Sequence, residues 1–142
     1  YLGVFISGKP KFFYTSAQPT DKVYFDTSKI TELPRVDIIY THQDQKSDVL
    51  DAAIKNGAKG IIVAGSGNGN VSSEMEAAIK KIHESEFRVV MTTKTVSVYV
   101  STKSWAVSAG FLNAPKARIL LQLALASGAD MKKIAEYFDH QR

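Results

Sequence analysis

The sequence contains no cysteine among its 142 residues. Disulfide bonds, thiolate metal ligands and cysteine nucleophiles are therefore excluded. Histidine is also scarce, with three residues that lie far apart in the chain. Only His42, with Asp44 and Asp48 nearby, is placed to act as a metal ligand, and we interpret it as a polar loop residue. We expect no metal site.

The chain has no long apolar run and no dense cluster of charge. Its longest apolar run, residues 119–126, contains Gln122 and is far shorter than the roughly 20 residues of a membrane helix. The net charge of +4 comes from 18 basic and 14 acidic residues, and the basic residues are scattered. A nucleic-acid surface concentrates basic residues on one face. We therefore expect neither a membrane nor a nucleic-acid partner.

The first residues predict a hairpin and a linker ahead of the main domain. The start, YLGV, has no initiator methionine and no signal peptide, which is typical of an internal segment. Residues 1–14 predict a β-hairpin, because two strand-like aromatic segments flank the turn residues 7–10. Residues 15–34 are polar, contain two prolines and predict a linker. The composition changes at Arg35, and we expect the main domain to span residues 35–142.

Strand and helix patterns alternate from residue 35 onward. Predicted strands cover residues 36–40, 60–64, 88–91 and 105–109, and predicted helices cover 47–56, 73–85, 116–126 and the segment after Asp130. Ser73 and Glu76 have the spacing of a capping box. The helix over 116–126 is apolar nearly all round, which predicts deep burial. Residues 92–104, with valines alternating at 96, 98 and 100, fit either an edge strand or a loop.

This alternation predicts parallel strands joined by right-handed crossovers. The fold class is therefore α/β: a small doubly wound, Rossmann-like domain with four parallel strands and helices on both faces, preceded by the β-hairpin and linker. Ligands of such sheets lie beyond the carboxyl ends of the strands, where the strand order reverses. Residues 65–70 follow the second strand of the domain at such an end.

Residues 65–70, GSGNGN, are called the glycine turn below. Gly65-Ser66-Gly67 imitates the start of the dinucleotide fingerprint G-x-G-x-x-G. Asn70 stands where that fingerprint requires glycine or alanine, and no acidic residue ends the following strand. No Gly-Lys-Ser/Thr follows, as a P-loop would require. Nucleotide binding is therefore disfavoured.

The two asparagines of the glycine turn have two interpretations. Gly67 and Gly69 allow positive φ angles, and an asparagine amide both donates and accepts hydrogen bonds. This combination suits a small polar ligand such as an α-amino acid. Alternatively, Asn68 and Asn70 satisfy their own turn and cap the next helix. Spacing leaves both interpretations open.

Other candidate groups are weaker. Residues 92–95, TTKT, combine hydroxyls with a lysine, but a nucleophilic threonine needs a base within hydrogen-bond reach. We expect a loop that satisfies its own backbone. The pairs Glu74/Glu76 and Glu84/Glu86 point to different faces of a helix and predict solvated charges.

Four motifs occur in a fixed order along the chain. They are FDTSKITELPRV (25–36), GAKGI followed by AGSGNGN (57–61 and 64–70), NAPKARILLQLAL (113–125) and YF (137–138). With these motifs the chain resembles the C-terminal part of bacterial type II L-asparaginases, over nearly its whole length.

The resemblance implies hydrolysis of L-asparagine to L-aspartate and ammonia, with some activity on L-glutamine, through a threonine acyl-enzyme and without metal or cofactor. It places the catalytic residues in a larger N-terminal domain, so no catalytic residue is expected in this chain. Residues 1–14 resemble the last hairpin of that domain. It also implies homodimers that pair into tetramers, in which one C-terminal domain completes a neighbouring site. A periplasmic or secreted location is implied, with the cytoplasm left open.

Carried over by motif, Asn70 matches the asparagine that contacts the neighbour's substrate, and Gly67, Asn68 and Gly69 match the turn presenting it. The loop over residues 95–104 is shorter than the family's and has no acid where the family uses a glutamate, which affects substrate specificity. The alternative function is a stand-alone, non-catalytic α/β binding or oligomerisation module. In that case Asn70 is structural and the aromatic hairpin is an interaction surface.

Overall fold

The computed structural model describes residues 2–14, 23–96 and 99–139. Within these ranges the strands are β1 (Gly3–Ile6), β2 (Lys9–Phe12), β3 (Val36–Tyr40), β4 (Gly60–Gly65), β5 (Arg88–Thr93) and β6 (Val107–Ser108). The helices are α1 (Asp48–Lys55), α2 (Ser73–Glu84), α3 (Ala114–Ala126) and α4 (Met131–Asp139). None of these helices is long and apolar enough to cross a membrane.

The first two strands form the predicted hairpin. β1 pairs antiparallel with β2, and Gly3 lies opposite Phe12. Ser7 and Gly8 form the turn, both with positive φ (49° and 78°), so the turn is shorter than predicted and Pro10 lies within β2. The aromatic side chains are mostly exposed, as Phe5 (78%) and Phe12 (72%) show. Residues 15–22 of the predicted linker lie outside the described residues.

Four parallel strands form the main sheet, in the order β3-β4-β5-β6. The register places Val36 beside Gly60 and Gly60 beside Arg88, so the carboxyl ends of β3, β4 and β5 meet at one edge. The predicted parallel sheet is confirmed. Because the strands follow the chain order, the described sheet has no point where the order reverses, and the expectation of a ligand at such a point is wrong. The carboxyl ends remain the relevant edge.

Helices cover both faces of this sheet, as predicted. Side chains of β4 alternate between two cores: Ile61 and Val63 face α1 and α2, whereas Ile62 and Ala64 face α3 and α4. All six β4 residues are buried. A strand buried on both faces has no polar alternation, which is why its sequence is a continuous apolar run.

The fourth parallel strand is much shorter than the predicted 105–109. Only Val107 and Ser108 pair with β5. The flanking chain folds on itself instead, through bridges between Lys103 and Ala106 and between Val100 and Gly110. Within the ambiguous stretch, Val96 is exposed in a turn and Val100 is fully buried, while residues 97–98 lie outside the described residues.

Two helix predictions require correction. The capping box is wrong, because Ser72 is the N-cap of α2 and its hydroxyl accepts from Met75 N–H at 3.3 Å. Helix α3 is buried on one side only, since Ile119 is 55% exposed. Its predicted cap is confirmed: the Asn113 side chain accepts from Lys116 N–H at 3.1 Å.

Candidate functional site

Thr41 and Lys94 tie together the carboxyl ends of β3, β4 and β5. The Thr41 N–H and hydroxyl both donate to Ala64 O, at 3.0 and 3.1 Å. The Lys94 N–H donates to Gly65 O at 2.9 Å, and its ammonium group donates to Thr41 O at 2.5 Å. The Lys94 side chain therefore crosses the end of β4. It fixes the edge from which the glycine turn projects.

The glycine turn is a closed loop. Ser66 and Asn70 exchange two backbone hydrogen bonds, at 2.8 and 2.7 Å, which hold the two ends of the turn together. Gly67 and Gly69 have φ angles of +51° and +73°, a region that favours glycine. A Cβ on Gly65 would lie 2.5 Å from Asn70 O, so the turn also closes tightly against its own first residue.

The two asparagines of the turn have opposite environments. The Asn68 Nδ2 donates to the Ser101 hydroxyl at 2.8 Å, and Asn68 Oδ1 accepts from Ser101 N–H at 2.7 Å. Asn70 is exposed, and its side-chain amide makes no hydrogen bond to the described residues. Asn68 is therefore committed to holding the turn, whereas the amide of Asn70 is available to a ligand.

The threonines after β5 bond to backbone groups. Thr92 is fully buried and its hydroxyl donates to Leu112 O at 2.7 Å. The Thr93 hydroxyl accepts from Thr95 N–H at 3.0 Å, and the Thr95 hydroxyl accepts from Gly67 N–H at 3.1 Å. These three hydroxyls support the loop and the glycine turn, as expected for a loop that satisfies its own backbone.

A cleft of about 360 Å³ opens beside the same edge of the sheet. Its lining combines Lys94 with apolar side chains at and just before the start of α3, including Phe111 and Pro115. Phe111 is 68% exposed and packs edge-on against Tyr99, with ring centroids 4.8 Å apart. Asn70 does not line this cleft. Asn70 is instead exposed at the surface.

The described residues contain no group of three or more histidines, aspartates and glutamates that could hold a metal ion. His42 is exposed, and its Nδ1 lies 2.6 Å from the Gln43 carbonyl. It is a polar loop residue in this structure, consistent with our interpretation of the sequence.

Glu74 has a structural partner that the sequence did not indicate. Its carboxylate accepts from Ser47 N–H and from the Lys46 ammonium, both at 3.1 Å. These bonds, led by the one from Ser47 N–H, lower the pKa of Glu74 from its ordinary value. Glu74 is exposed, as expected for a solvated charge, and it also joins the start of α2 to the loop before α1.

The structure thus brings the four predicted turn residues onto one projecting loop. Sequence reasoning missed the supports of this loop, Thr95, Val100 and Ser101. Ser101 lies 33 residues from Asn68 in the chain, and no periodicity or spacing connects residues so far apart. Pairing between them is decided by the fold.

Fold and site together define a parallel α/β domain that presents a polar turn at the carboxyl ends of its strands. Residues 35–138 match the family described as the Glutaminase/Asparaginase C-terminal domain. The chain belongs to this family.

Similar proteins carry related names. The chain is 36% identical over 138 residues to probable L-asparaginase 4 of Schizosaccharomyces pombe, covering 96% of the chain and 39% of that protein. It is 42% identical over 120 residues to L-asparaginase 2 of Bacillus subtilis, covering 81% of the chain and 32% of that protein. The crystal structure of the probable cytoplasmic L-asparaginase from Campylobacter jejuni superposes with a TM-score of 0.79 at 36% identity, covering 96% of this chain and 47% of that one. The chain therefore spans less than half the length of these relatives.

Proposed function

We propose that this chain is the C-terminal domain of an L-asparaginase that hydrolyses L-asparagine to L-aspartate and ammonia, with some activity on L-glutamine. The nucleophilic threonine lies in an N-terminal domain outside this chain. Here, residues 1–14 belong to that domain, residues 15–34 are a linker, and residues 35–142 form the α/β domain. Family membership and the relatives' names support this assignment.

One observation carries the proposal for this chain's own role: the exposed, unbonded amide of Asn70 on a turn closed by backbone hydrogen bonds. An amide offers an acceptor to the ammonium group of an amino acid and a donor to its carboxylate. A fixed backbone lets this amide bind without first ordering the loop, which lowers the entropic cost of binding. Asn70 therefore contacts the substrate, and Gly67, Asn68 and Gly69 hold it in place.

The open position of Asn70 supports a site shared between subunits. Its amide lies outside the cleft beside α3, so a second protein surface is needed to enclose a substrate. We assign that surface to the N-terminal domain of a neighbouring subunit in a homodimer, with pairs of dimers forming a tetramer. We place the protein in the periplasm or outside the cell. The cytoplasm is the alternative, because the Campylobacter relative is named as cytoplasmic.

The substitution Asn70→Ala in the full-length protein tests this role. We expect KM for L-asparagine to rise and kcat/KM to fall by about 5- to 150-fold, equivalent to about 1–3 kcal/mol for one buried polar contact. Steady-state hydrolysis of L-asparagine measures both constants. Because the turn is closed by backbone bonds, the melting temperature should change little.

Asn56→Ala is the matched control. Asn56 is exposed at the end of α1, and its side chain donates to Ala52 O at 2.8 Å. Its removal should lower stability slightly and leave KM unchanged. If Asn70→Ala leaves the kinetics normal and lowers only the melting temperature, Asn70 is structural.

A second function is favoured by the hairpin. Phe5, Phe12, Phe13 and Tyr14 are between 54% and 78% exposed. Large apolar side chains exposed together on one short hairpin are typical of an interaction site. In a stand-alone binding or oligomerisation module this hairpin would be the contact surface, and the full-length protein would show no amidohydrolase activity.

A further inference from the structure

Three residues after β5, Thr95, Val100 and Ser101, contact the glycine turn from one side and are called the latch below. The Thr95 hydroxyl accepts from Gly67 N–H at 3.1 Å. Ser101 meets the Asn68 amide with its N–H and its hydroxyl, at 2.7 and 2.8 Å. A Cβ on Gly69 would lie 3.1 Å from Val100 Cγ1, so Val100 backs the turn closely. Each of the three inner residues of the turn thus meets one residue of the latch.

The latch is itself anchored to the sheet. Val100 is fully buried, and its N–H donates to Gly110 O at 2.9 Å. The Thr95 N–H donates to the Thr93 hydroxyl at the end of β5. Ser66 and Asn70 close the base of the turn with backbone bonds. The turn is therefore held at its base by its own backbone and at its tip by the latch.

We infer that the latch positions Asn70 for the substrate, and that Ser101 and Asn68 are positioning residues for the hydrolysis. The inference rests on the proposed function. Two glycines with positive φ give the isolated turn many accessible conformations, and binding through a mobile turn requires those conformations to be given up. The latch removes this cost before the substrate arrives. Asn68 takes no direct part in binding, because its amide is occupied by Ser101.

Ser101→Ala and Asn68→Ala in the full-length protein test the inference. Each should raise KM for L-asparagine about 3- to 10-fold, the effect of losing one or a few ordinary hydrogen bonds, with kcat nearly unchanged. Asn68→Asp should recover most of the loss, because it keeps the oxygen that accepts from Ser101 N–H. Ser104→Ala is the control, since Ser104 is exposed in the same loop and its side chain makes no hydrogen bond to the described residues.

The same substitutions in an Asn70→Ala background separate positioning from other effects. If the latch acts through Asn70, Ser101→Ala has no further effect on KM once the Asn70 amide is gone. An equal rise of KM in both backgrounds overturns the inference, and so does an unchanged KM in the wild-type background. Hydrogen–deuterium exchange of the peptide covering the glycine turn supplies an independent readout. Exchange should accelerate in Ser101→Ala and Asn68→Ala and stay unchanged in Ser104→Ala.

The experiment distinguishes the failure of this inference from the failure of the proposed function. If Asn70→Ala raises KM but Ser101→Ala changes neither KM nor exchange, only the inference is overturned. If the full-length protein does not hydrolyse L-asparagine, or Asn70→Ala leaves KM unchanged, the proposed role of the turn fails and the inference fails with it. In that case, faster exchange in Ser101→Ala and Asn68→Ala shows that the latch only stabilises the turn.

Discussion

At the scale of single residues, two adjacent serines show how a small choice decides where a helix begins. The sequence places Ser73 three residues before Glu76, as a capping box requires. In the structure Ser72 has the extended backbone of an N-cap, with ψ of 155°, and its hydroxyl donates to Gln45 O at 2.8 Å. Glu76 pairs with Lys80 one turn later. The contact with Gln45 ties the helix start to a distant loop, and no local pattern reveals it.

This difference gives a prediction for stability. Ser72→Ala should lower the free energy of unfolding by about 1 kcal/mol, the usual cost of losing an N-cap side chain. Ser73→Ala should have almost no effect, because Ser73 is exposed in the first turn of α2. Equilibrium unfolding in denaturant measures both. If the two substitutions lower the free energy of unfolding equally, the prediction of a capping box at Ser73 is supported instead.

At the scale of elements, a surface ion pair joins the first parallel strand to the helix that follows it. Arg35 Nε and Nη2 donate to the Asp37 carboxylate at 2.9 and 2.8 Å, and Nη1 donates to Asn56 O at 2.9 Å. The hydrogen bonds that Arg35 donates to the Asp37 carboxylate lower the pKa of Asp37 from its ordinary value. Arg35 thus links Asp37, at the start of β3, with the end of α1.

The lowered pKa predicts the pH dependence of stability. A carboxyl group whose pKa falls on folding contributes stability fully above its unfolded pKa, near 3.9, and loses that contribution as pH falls through the lower folded pKa. Asp37→Asn should therefore be less stable than the wild type at neutral pH. The difference in stability between the two proteins should disappear below about pH 4. Thermal unfolding across this pH range measures it.

Glu84→Gln serves as the control for the pH experiment. Glu84 is an exposed carboxylate at the end of α2 and makes no ion pair with the described residues. Its stability curve should keep the shape of the wild-type curve through the same range. If the difference in stability between the wild type and Asp37→Asn stays constant down to the acid transition, the proposed role of Arg35 is contradicted.

Most elements follow from sequence patterns, and the exceptions have physical reasons. β3, β4, α1 and α2 were predicted to within a residue or two at each end, because their apolar periodicity reflects the core they build. The predicted strand over 105–109 is longer than the observed one, because bridges made by the neighbouring loop limit its pairing. In the site, the glycine turn was visible from its composition. The link between Asn68 and Ser101 was not, because it joins segments that only the fold brings together.

At the scale of the whole molecule, the apolar surface is unevenly distributed. The α/β domain buries two cores, one on each face of its sheet. The hairpin instead exposes large side chains such as Leu2 (60%), Phe5 (78%) and Phe13 (54%). The free energy gained by burying these side chains is not obtained within the described residues. This distribution is consistent with the proposed domain that packs on the hairpin.

The proposed division between domains predicts the behaviour of the 142 residues by themselves. They should show no hydrolysis of L-asparagine, because the proposed nucleophile lies elsewhere. Adding the N-terminal domain as a separate polypeptide should restore activity, and the same mixture made with the Asn70→Ala chain should show a raised KM. Circular dichroism confirms that the added chain is folded. Hydrolysis by the 142 residues alone would overturn the assignment.

The order of the strands also bears on how the chain folds. Because β3, β4 and β5 lie side by side in the order of the chain, each strand pair encloses only one helix and its two connections. The entropy lost in closing a loop grows with the length of chain enclosed, so each pairing step costs little for a parallel sheet. A nascent chain can therefore complete β3 with β4, and then β4 with β5, before the last two helices are synthesised. The second core forms only when α3 and α4 have been synthesised. Until then the apolar side chains on one face of the sheet stay exposed to water.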